Sequence, residues 1–154
     1  MAHLLHDKPS EAELKVKLDA FRENCHKAGL KVTPQRMAIY EVLVANNDHP
    51  TAETVYRRVK ESHPNISLDT VNRTLGTLRA MGAAFAVEGT GEARRYDGNL
   101  EDHQHFRCNK GKRIVDLHGE FLNNIEIPAS LARFTVLRKT AYFEGLCDQC
   151  NAEN

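Results

Sequence analysis

The sequence predicts an α+β fold in two parts. Three observations carry this. Runs of helical periodicity, each opened by a capping residue, fill most of residues 10–82; short strand-like runs flank the glycine-rich turn Gly89-Thr90-Gly91; and beyond Asp97 the texture changes to β-forming segments.

The first helix runs from Ser10 towards Leu30. Ser10 is its N-cap, Glu13 completes a capping box, Leu14, Leu18 and Phe21 form its apolar stripe, and Gly29 is its stop signal. Thr33 caps a second helix with Pro34 at its first position and Ile39, Tyr40, Leu43 and Val44 facing inward, ended by Asn46-Asn47-Asp48. Thr51 caps a third, which buries Ala52, Val55, Tyr56 and Val59 and stops at His63-Pro64-Asn65. Ser67 caps a fourth, with Leu68, Val71, Leu75, Leu78 and Met81 on one face and Gly82 as the stop. Phe85 to Val87 and Ala93 to Tyr96 then read as a hairpin. Residues 98–101 are linker-like, so the predicted domains are 1–97 and 98–154. Strands are expected at His105 to Cys108, Arg113 to Leu117 and Phe134 to Gly145, with a short helix at Pro128 to Arg133.

Composition narrows the class. A chain of 154 residues with 41% hydrophobic and 27% charged residues can bury a core and is not of the disordered type. No stretch approaches the roughly 20 apolar residues of a membrane span. The start, Met1-Ala2-His3-Leu4-Leu5-His6, lacks the charged and apolar regions of a signal peptide. The expectation is a cytoplasmic chain with no membrane partner. Its 21 basic and 21 acidic residues cancel, so no overall basic signature marks nucleic-acid binding and charge must be read locally.

Local charge points to DNA. Helices followed by a hairpin in this order describe a winged helix-turn-helix, whose last helix enters the major groove. The face of that helix opposite its apolar stripe carries Asp69, Thr70, Asn72, Arg73 and Thr77. Arg pairs with guanine O6 and N7, and Asn with adenine. Arg36, Arg57, Arg58, Lys60, Arg94 and Arg95 would supply phosphate contacts around it. Each residue, taken singly, also fits an ordinary solvated face.

Two sets of residues have the chemistry of metal ligands. His103 and His105 stand two apart, which places both rings on one face of a strand. If the fold adds Asp116, Asp97 and His49 to them, three nitrogens and two carboxylates suit Fe(II) or Mn(II) and leave a position open. The second set is Cys108 with Cys147 and Cys150, three thiols where a structural Zn(II) site normally has four donors. The fourth cysteine, Cys25, is isolated on the first helix and reads as a small buried residue.

Taken together, these motifs resemble the ferric uptake regulator family along nearly the whole chain. The resemblance runs from Gly29-Leu30-Lys31-Val32-Thr33-Pro34-Gln35-Arg36 through His49-Pro50-Thr51-Ala52, Ser67-Leu68-Asp69-Thr70-Val71-Asn72-Arg73-Thr74-Leu75 and Arg95-Tyr96-Asp97. It continues in His103-x-His105-Phe106-x-Cys108, Ile114-Val115-Asp116 and Cys147-Asp148-Gln149-Cys150. It implies an N-terminal winged helix, a C-terminal α/β dimerisation domain and a homodimeric repressor that binds palindromic double-stranded operator DNA. It also implies a regulatory cation on His49, Asp97, His103, His105 and Asp116 that bridges the domains. Asp116, where iron-uptake members usually carry glutamate, is similar to the peroxide-sensing branch. There hydrogen peroxide is the signal, iron-catalysed oxidation of a ligating imidazole ends repression, and manganese gives an insensitive form; His49 and His103 are the matching oxidation candidates.

The sequence departs from the family pattern at two places. Gly111 stands where the first Cys-x-x-Cys would finish, which leaves zinc absent, zinc held by three thiolates plus another ligand, or a disulfide between Cys147 and Cys150 all open. Asn72 replaces a frequent base-contacting tyrosine, so an altered but still palindromic operator is expected. Gln104 and Lys139 occupy positions where iron-uptake members place accessory ligands, which implies a single regulatory cation per subunit. Three rival readings remain. One is an iron-uptake repressor that senses Fe(II) availability. Another is a small non-haem metalloenzyme, although the sequence offers no independent general acid or base and the chain is read as a non-enzyme. The third is a structural DNA-binding protein without sensing, whose affinity would not depend on metal.

Overall fold

The computed structural model describes residues 8–89 and 93–153. Thr90 and Gly91 of the expected hairpin turn, and the Met1 to His6 start, lie outside the described residues. The chain divides into two compact units between Leu100 and Glu101.

The first unit is built on four helices: α1 (Glu11–Lys27), α2 (Pro34–Ala45), α3 (Ala52–Ser62) and α4 (Leu68–Ala80). Each begins where a side-chain oxygen captures an otherwise unbonded amide of the first turn. Ser10 accepts from Glu13 N in a full capping box, Thr33 from Arg36 N, Thr51 from Thr54 N and Ser67 from Thr70 N. Two helices end in paired backbone bonds that need a left-handed residue. Gly29 (φ 69°) and Leu30 donate to the His26 and Cys25 carbonyls after α1, and Gly82 (φ 74°) and Ala83 donate to those of Arg79 and Leu78 after α4.

The inward faces meet in one core that contains Phe21, Ile39, Leu43, Val55, Val59, Val71, Leu75 and Leu78, with Phe21 and Tyr40 stacked at 4.0 Å. Cys25 is fully buried in it, as a small apolar residue would be. Leu68 departs from expectation: it sits in the first turn of α4 and is 41% exposed, while Thr74 takes a place in the interior. Leu75→Ala is therefore expected to cost about 2–5 kcal/mol, read as a fall in denaturation midpoint. Leu68→Ala should stay within about 0.5 kcal/mol. Equal effects would contradict the packing described.

A two-stranded antiparallel ribbon follows, β1 (Phe85–Ala86) with β2 (Tyr96–Asp97). Its second strand also pairs with the α2–α3 connection: Arg95 bridges Thr51, and Tyr96 N donates to Pro50 O at 3.0 Å. The order of elements is that of a winged helix-turn-helix. Gly98 is buried against α2, where a Cβ would lie 2.8 Å from Val44 Cγ1 and 3.2 Å from Leu43 Cβ. The segment expected to be a loose linker thus begins with a residue that only glycine fits.

The second unit is an α/β layer. β3 (Gln104–Cys108) is the central strand, antiparallel to β4 (Ile114–Leu117) and parallel to β5 (Tyr142–Gly145). The long strand expected from Phe134 shrinks to β5, because residues 135–141 form no ladder. The helix expected at Pro128 to Arg133 is one turn of 3-10 helix, Ala129–Leu131. Two short helices, α5 (Glu120–Asn123) and α6 (Asp148–Ala152), were not foreseen. Phe121, Phe134 and Leu137 are largely exposed on this unit, and Tyr142 and Phe143 on β5 are partly exposed. Among the described residues no helix is long and apolar enough to cross a membrane.

Candidate metal centre and nucleic-acid interface

The first unit brings His49 and Asp97 together. His49 Nε2 lies 3.3 Å from Asp97 Oδ2, and both side chains are buried. The backbone on either side is fixed. Asn99 N donates to Asp97 Oδ1 at 2.7 Å, a local turn that aims the carboxylate. His49 adopts φ 48°, a left-handed conformation that histidine enters more readily than most side chains but still at a cost of about 1–3 kcal/mol.

Arg95 stabilises that conformation. Its Nε donates to the His49 carbonyl and its Nη2 to the Asp48 carbonyl at 2.7 Å. Arg58 grips the Asp48 carboxylate through both terminal nitrogens, Nη1 at 3.2 Å. Burial pushes the Asp48 carboxyl up, but the bonds and charge of Arg58 outweigh it and leave the group below the usual range. Arg58 and Arg95, read from the sequence as phosphate contacts, are thus engaged by protein acceptors. Arg95→Ala is expected to weaken Mn(II) binding about 10–100-fold, as loss of a ligand-orienting partner generally does. Calorimetric titration checks this, and an unchanged affinity would show that His49 holds its place without the clamp.

The second unit brings three candidate ligands together through strand register. The β3–β4 ladder sets His105 directly across from Asp116, with Nε2 to Oδ1 at 3.5 Å. His103, just before β3, points to the same face, its Nε2 3.1 Å from His105 Nε2 and 3.8 Å from Asp116 Oδ1. All three are buried. His103 Nδ1 lies 2.6 Å from the Glu101 carbonyl. A carbonyl only accepts, so a hydrogen bond there needs the hydrogen on Nδ1, and a neutral ring so bonded offers its Nε2 lone pair to a metal ion. Two imidazoles and a carboxylate converging in a buried place suit a divalent cation; the donor set fits.

The parallel register of β3 and β5 builds the thiol cluster. Cys108 pairs with Gly145, and the chain leaving β5 delivers Cys147 and then Cys150 on α6. The three sulfurs lie within 4.8 Å of one another, all buried. Cys108 Sγ accepts amide bonds from Gly111 at 3.2 Å and Cys147 at 3.4 Å. These amides, that of Cys147 first, bring the Cys108 thiol down to about 6, whereas burial and then its sulfur neighbours push Cys150 up to about 11. One thiol is therefore prepared as a thiolate. Two ion pairs staple the turn after β3 to α6: Lys110 with Glu153 at 3.2 Å and Arg113 with Asp148 at 3.1 Å.

On α4 the face away from the core shows Asp69, Asn72 and Arg73 to solvent, with Thr70 partly covered. Arg73 Nε is paired with Asp69 at 3.0 Å, an exposed contact that an incoming base or phosphate can replace at little cost. Arg57 is exposed, with a long 3.4 Å contact to Thr54. Arg36 is half-buried and donates to the Lys31 carbonyl. Sequence reading missed the carbonyl of Glu101, the carbonyl-binding role of Arg95 and the tilted ring of His118, 5.5 Å from His103. Only the position of His118 two residues after Asp116 could have flagged any of them.

The fold and its ligand sets define a class: a winged-helix protein with a cation-binding complement of imidazoles and carboxylates. The family described as the ferric uptake regulator family matches residues 27–151, and the chain belongs to it. The peroxide-responsive repressor PerR of Staphylococcus epidermidis is 32% identical over 128 residues, 82% of this chain and 85% of that one. The Helicobacter pylori ferric uptake regulator Fur, whose structure is described as revealing three functional metal binding sites, shares the fold with a TM-score of 0.74 at 21% identity, covering 95% of this chain and 97% of its own. The Campylobacter jejuni peroxide stress regulator gives 0.64 at 26% identity, over 86% and 98%.

Proposed function

We propose that the chain is a homodimeric, metal-dependent repressor that binds palindromic operator DNA and is released by hydrogen peroxide. Its ligands for one divalent cation, Fe(II) or Mn(II), are His49, Asp97, His103, His105 and Asp116. The observation that carries this reading is the convergence of His103, His105 and Asp116, with His103 Nδ1 placed against the Glu101 carbonyl. The cation-loaded dimer presents two α4 helices to half-sites about one turn of DNA apart.

The residues divide the work. Arg73 and Asn72 read base edges, Asp69 and Thr70 sit at the start of α4, and Arg36 and Arg57 approach the backbone. The exposed apolar residues of β5 and the long connection before it support a self-complementary contact between two copies. Bound ferrous iron would supply the peroxide reduction that oxidises a coordinated imidazole. His49 and His103 are the candidates to receive the oxygen, and an oxidised ring donates more weakly, so iron is lost and repression ends.

The test is selection of duplexes from a random pool by Mn(II)-loaded protein, followed by mobility shifts with and without a chelator. A palindromic duplex bound about 5–150-fold more tightly with Mn(II) is expected. Retention of a duplex with equal affinity after chelation would rule the reading out.

A further inference from the structure

We propose that Tyr142 is a redox-active residue of the second unit, which gives one electron to the cation site while its proton passes to Glu144. The inference rests on the peroxide-release reading and adds to it a side chain that competes with the ligand imidazoles for the oxidising equivalents.

Strand register places the tyrosine. His105 pairs with Asp116 on β4 and with Tyr142 on β5, so the imidazole stands between the carboxylate on one side and the phenol on the other. Register partners share a face of the sheet, and neighbouring strands lie only about 4.8 Å apart. Arg107 and Glu144 are the next pair on that face. Tyr142 Oη donates to Glu144 Oε2 at 3.2 Å, and the buried Arg107 guanidinium reaches the same hydroxyl. Other oxidisable groups are less well placed. Cys108 follows Gln104 and Phe106 on the opposite face of β3, and Cys147 and Cys150 cluster with it there. The chain has no tryptophan, and Tyr142 is the one tyrosine beyond Asp97.

Reduction of hydrogen peroxide to two waters takes two electrons and two protons. Bound ferrous iron supplies the first electron and becomes ferric. Tyr142 supplies the second: its O–H bond breaks, the electron crosses to the site and a neutral tyrosyl radical remains. The proton goes to the Glu144 carboxylate and exchanges with solvent, which provides the two protons that the waters need. Loss of the electron alone would leave a second positive charge beside the Arg107 guanidinium, and proton transfer to Glu144 avoids that repulsion. Glu144 is therefore a positioning residue for Tyr142. This route consumes a peroxide without adding oxygen to His49 or His103, so it sets how much peroxide the chain withstands before a ligand is lost.

The test is run without DNA on the full chain loaded with Fe(II), mixed with one equivalent of hydrogen peroxide and frozen for electron paramagnetic resonance, with tryptic mass spectra of the same samples. The expected result is a tyrosyl radical signal that Tyr142→Phe abolishes and Glu144→Gln weakens, with Mn(II) affinity unchanged in both variants. In Tyr142→Phe the fraction of His49 or His103 peptide with an added oxygen should rise, because the competing donor is gone. The proposal is overturned by a radical that survives Tyr142→Phe, by histidine oxidation equal in parent and variant, or by oxygen on a histidine with no radical in the parent. The last two results leave the peroxide reading standing. Neither radical nor added oxygen in any sample would remove that reading and the role of Tyr142 together.

Discussion

Replacing His103 with alanine is expected to lower Mn(II) affinity by at least about 100-fold and to abolish the cation's effect on DNA binding. Loss of a partner that merely orients a ligand costs 10–100-fold as a rule, and His103 is proposed as a ligand itself. Its Nε2 stands 3.1 Å from that of His105, and its Nδ1 is bound to the Glu101 carbonyl, so no other atom of the side chain can take its place. Manganese is the right probe because it favours oxygen and nitrogen over thiolate donors, which keeps the cysteine cluster out of the measurement. The core of the first unit contains none of these atoms, and the variant should retain its folded winged helix and whatever DNA affinity the metal-free protein has. Unchanged Mn(II) uptake would remove His103 from the ligand set.

Iron-loaded protein treated with hydrogen peroxide is expected to fall to the DNA affinity of the metal-free state, a loss of about 5–150-fold if the coupling is of ordinary size. Manganese-loaded protein should keep its affinity under the same treatment. The fall should coincide with gain of one oxygen atom in the tryptic peptide of His49 or of His103, since each contributes an Nε2 to a proposed ligand set and each stands next to a carboxylate. Peroxide sensitivity shared equally by both metal forms would point away from metal-centred oxidation. Release with iron but with no oxygen on either histidine would point to oxidation at another group and remove both histidines from the sensing role.

The first unit was readable because its signals are local. Ser10 with Glu13, Thr33 with Pro34, Thr51 and Ser67 each mark a helix start through a bond to an amide a few residues away. Gly29 and Gly82 mark two ends through backbone conformation. The second unit was less readable because its elements depend on remote partners. β5 is a strand only over the residues opposite His105 to Cys108, and nothing within Phe134 to Ala141 reveals where that ladder stops. Helices of four and five residues such as α5 and α6 are too short to show a period.

The same division applies to the site. His-x-His spacing is a local signal, whereas the antiparallel register that sets Asp116 opposite His105 is not. The left-handed His49 and its hold by Arg95, 46 residues away, are tertiary facts. An arginine in a wing reads as a phosphate contact until the carbonyls it serves are visible. Gly98 likewise looks like linker until Val44 and Leu43 are found against it.

The central claim is that cation and DNA favour the same state of the chain, and it is tested most directly by measuring Mn(II) affinity with and without the selected duplex. Linkage requires the duplex to tighten Mn(II) binding by the same factor by which Mn(II) tightens DNA binding. An equal factor, lost in His103→Ala, is the predicted result. A Mn(II) affinity that does not change when the duplex is added would contradict the account.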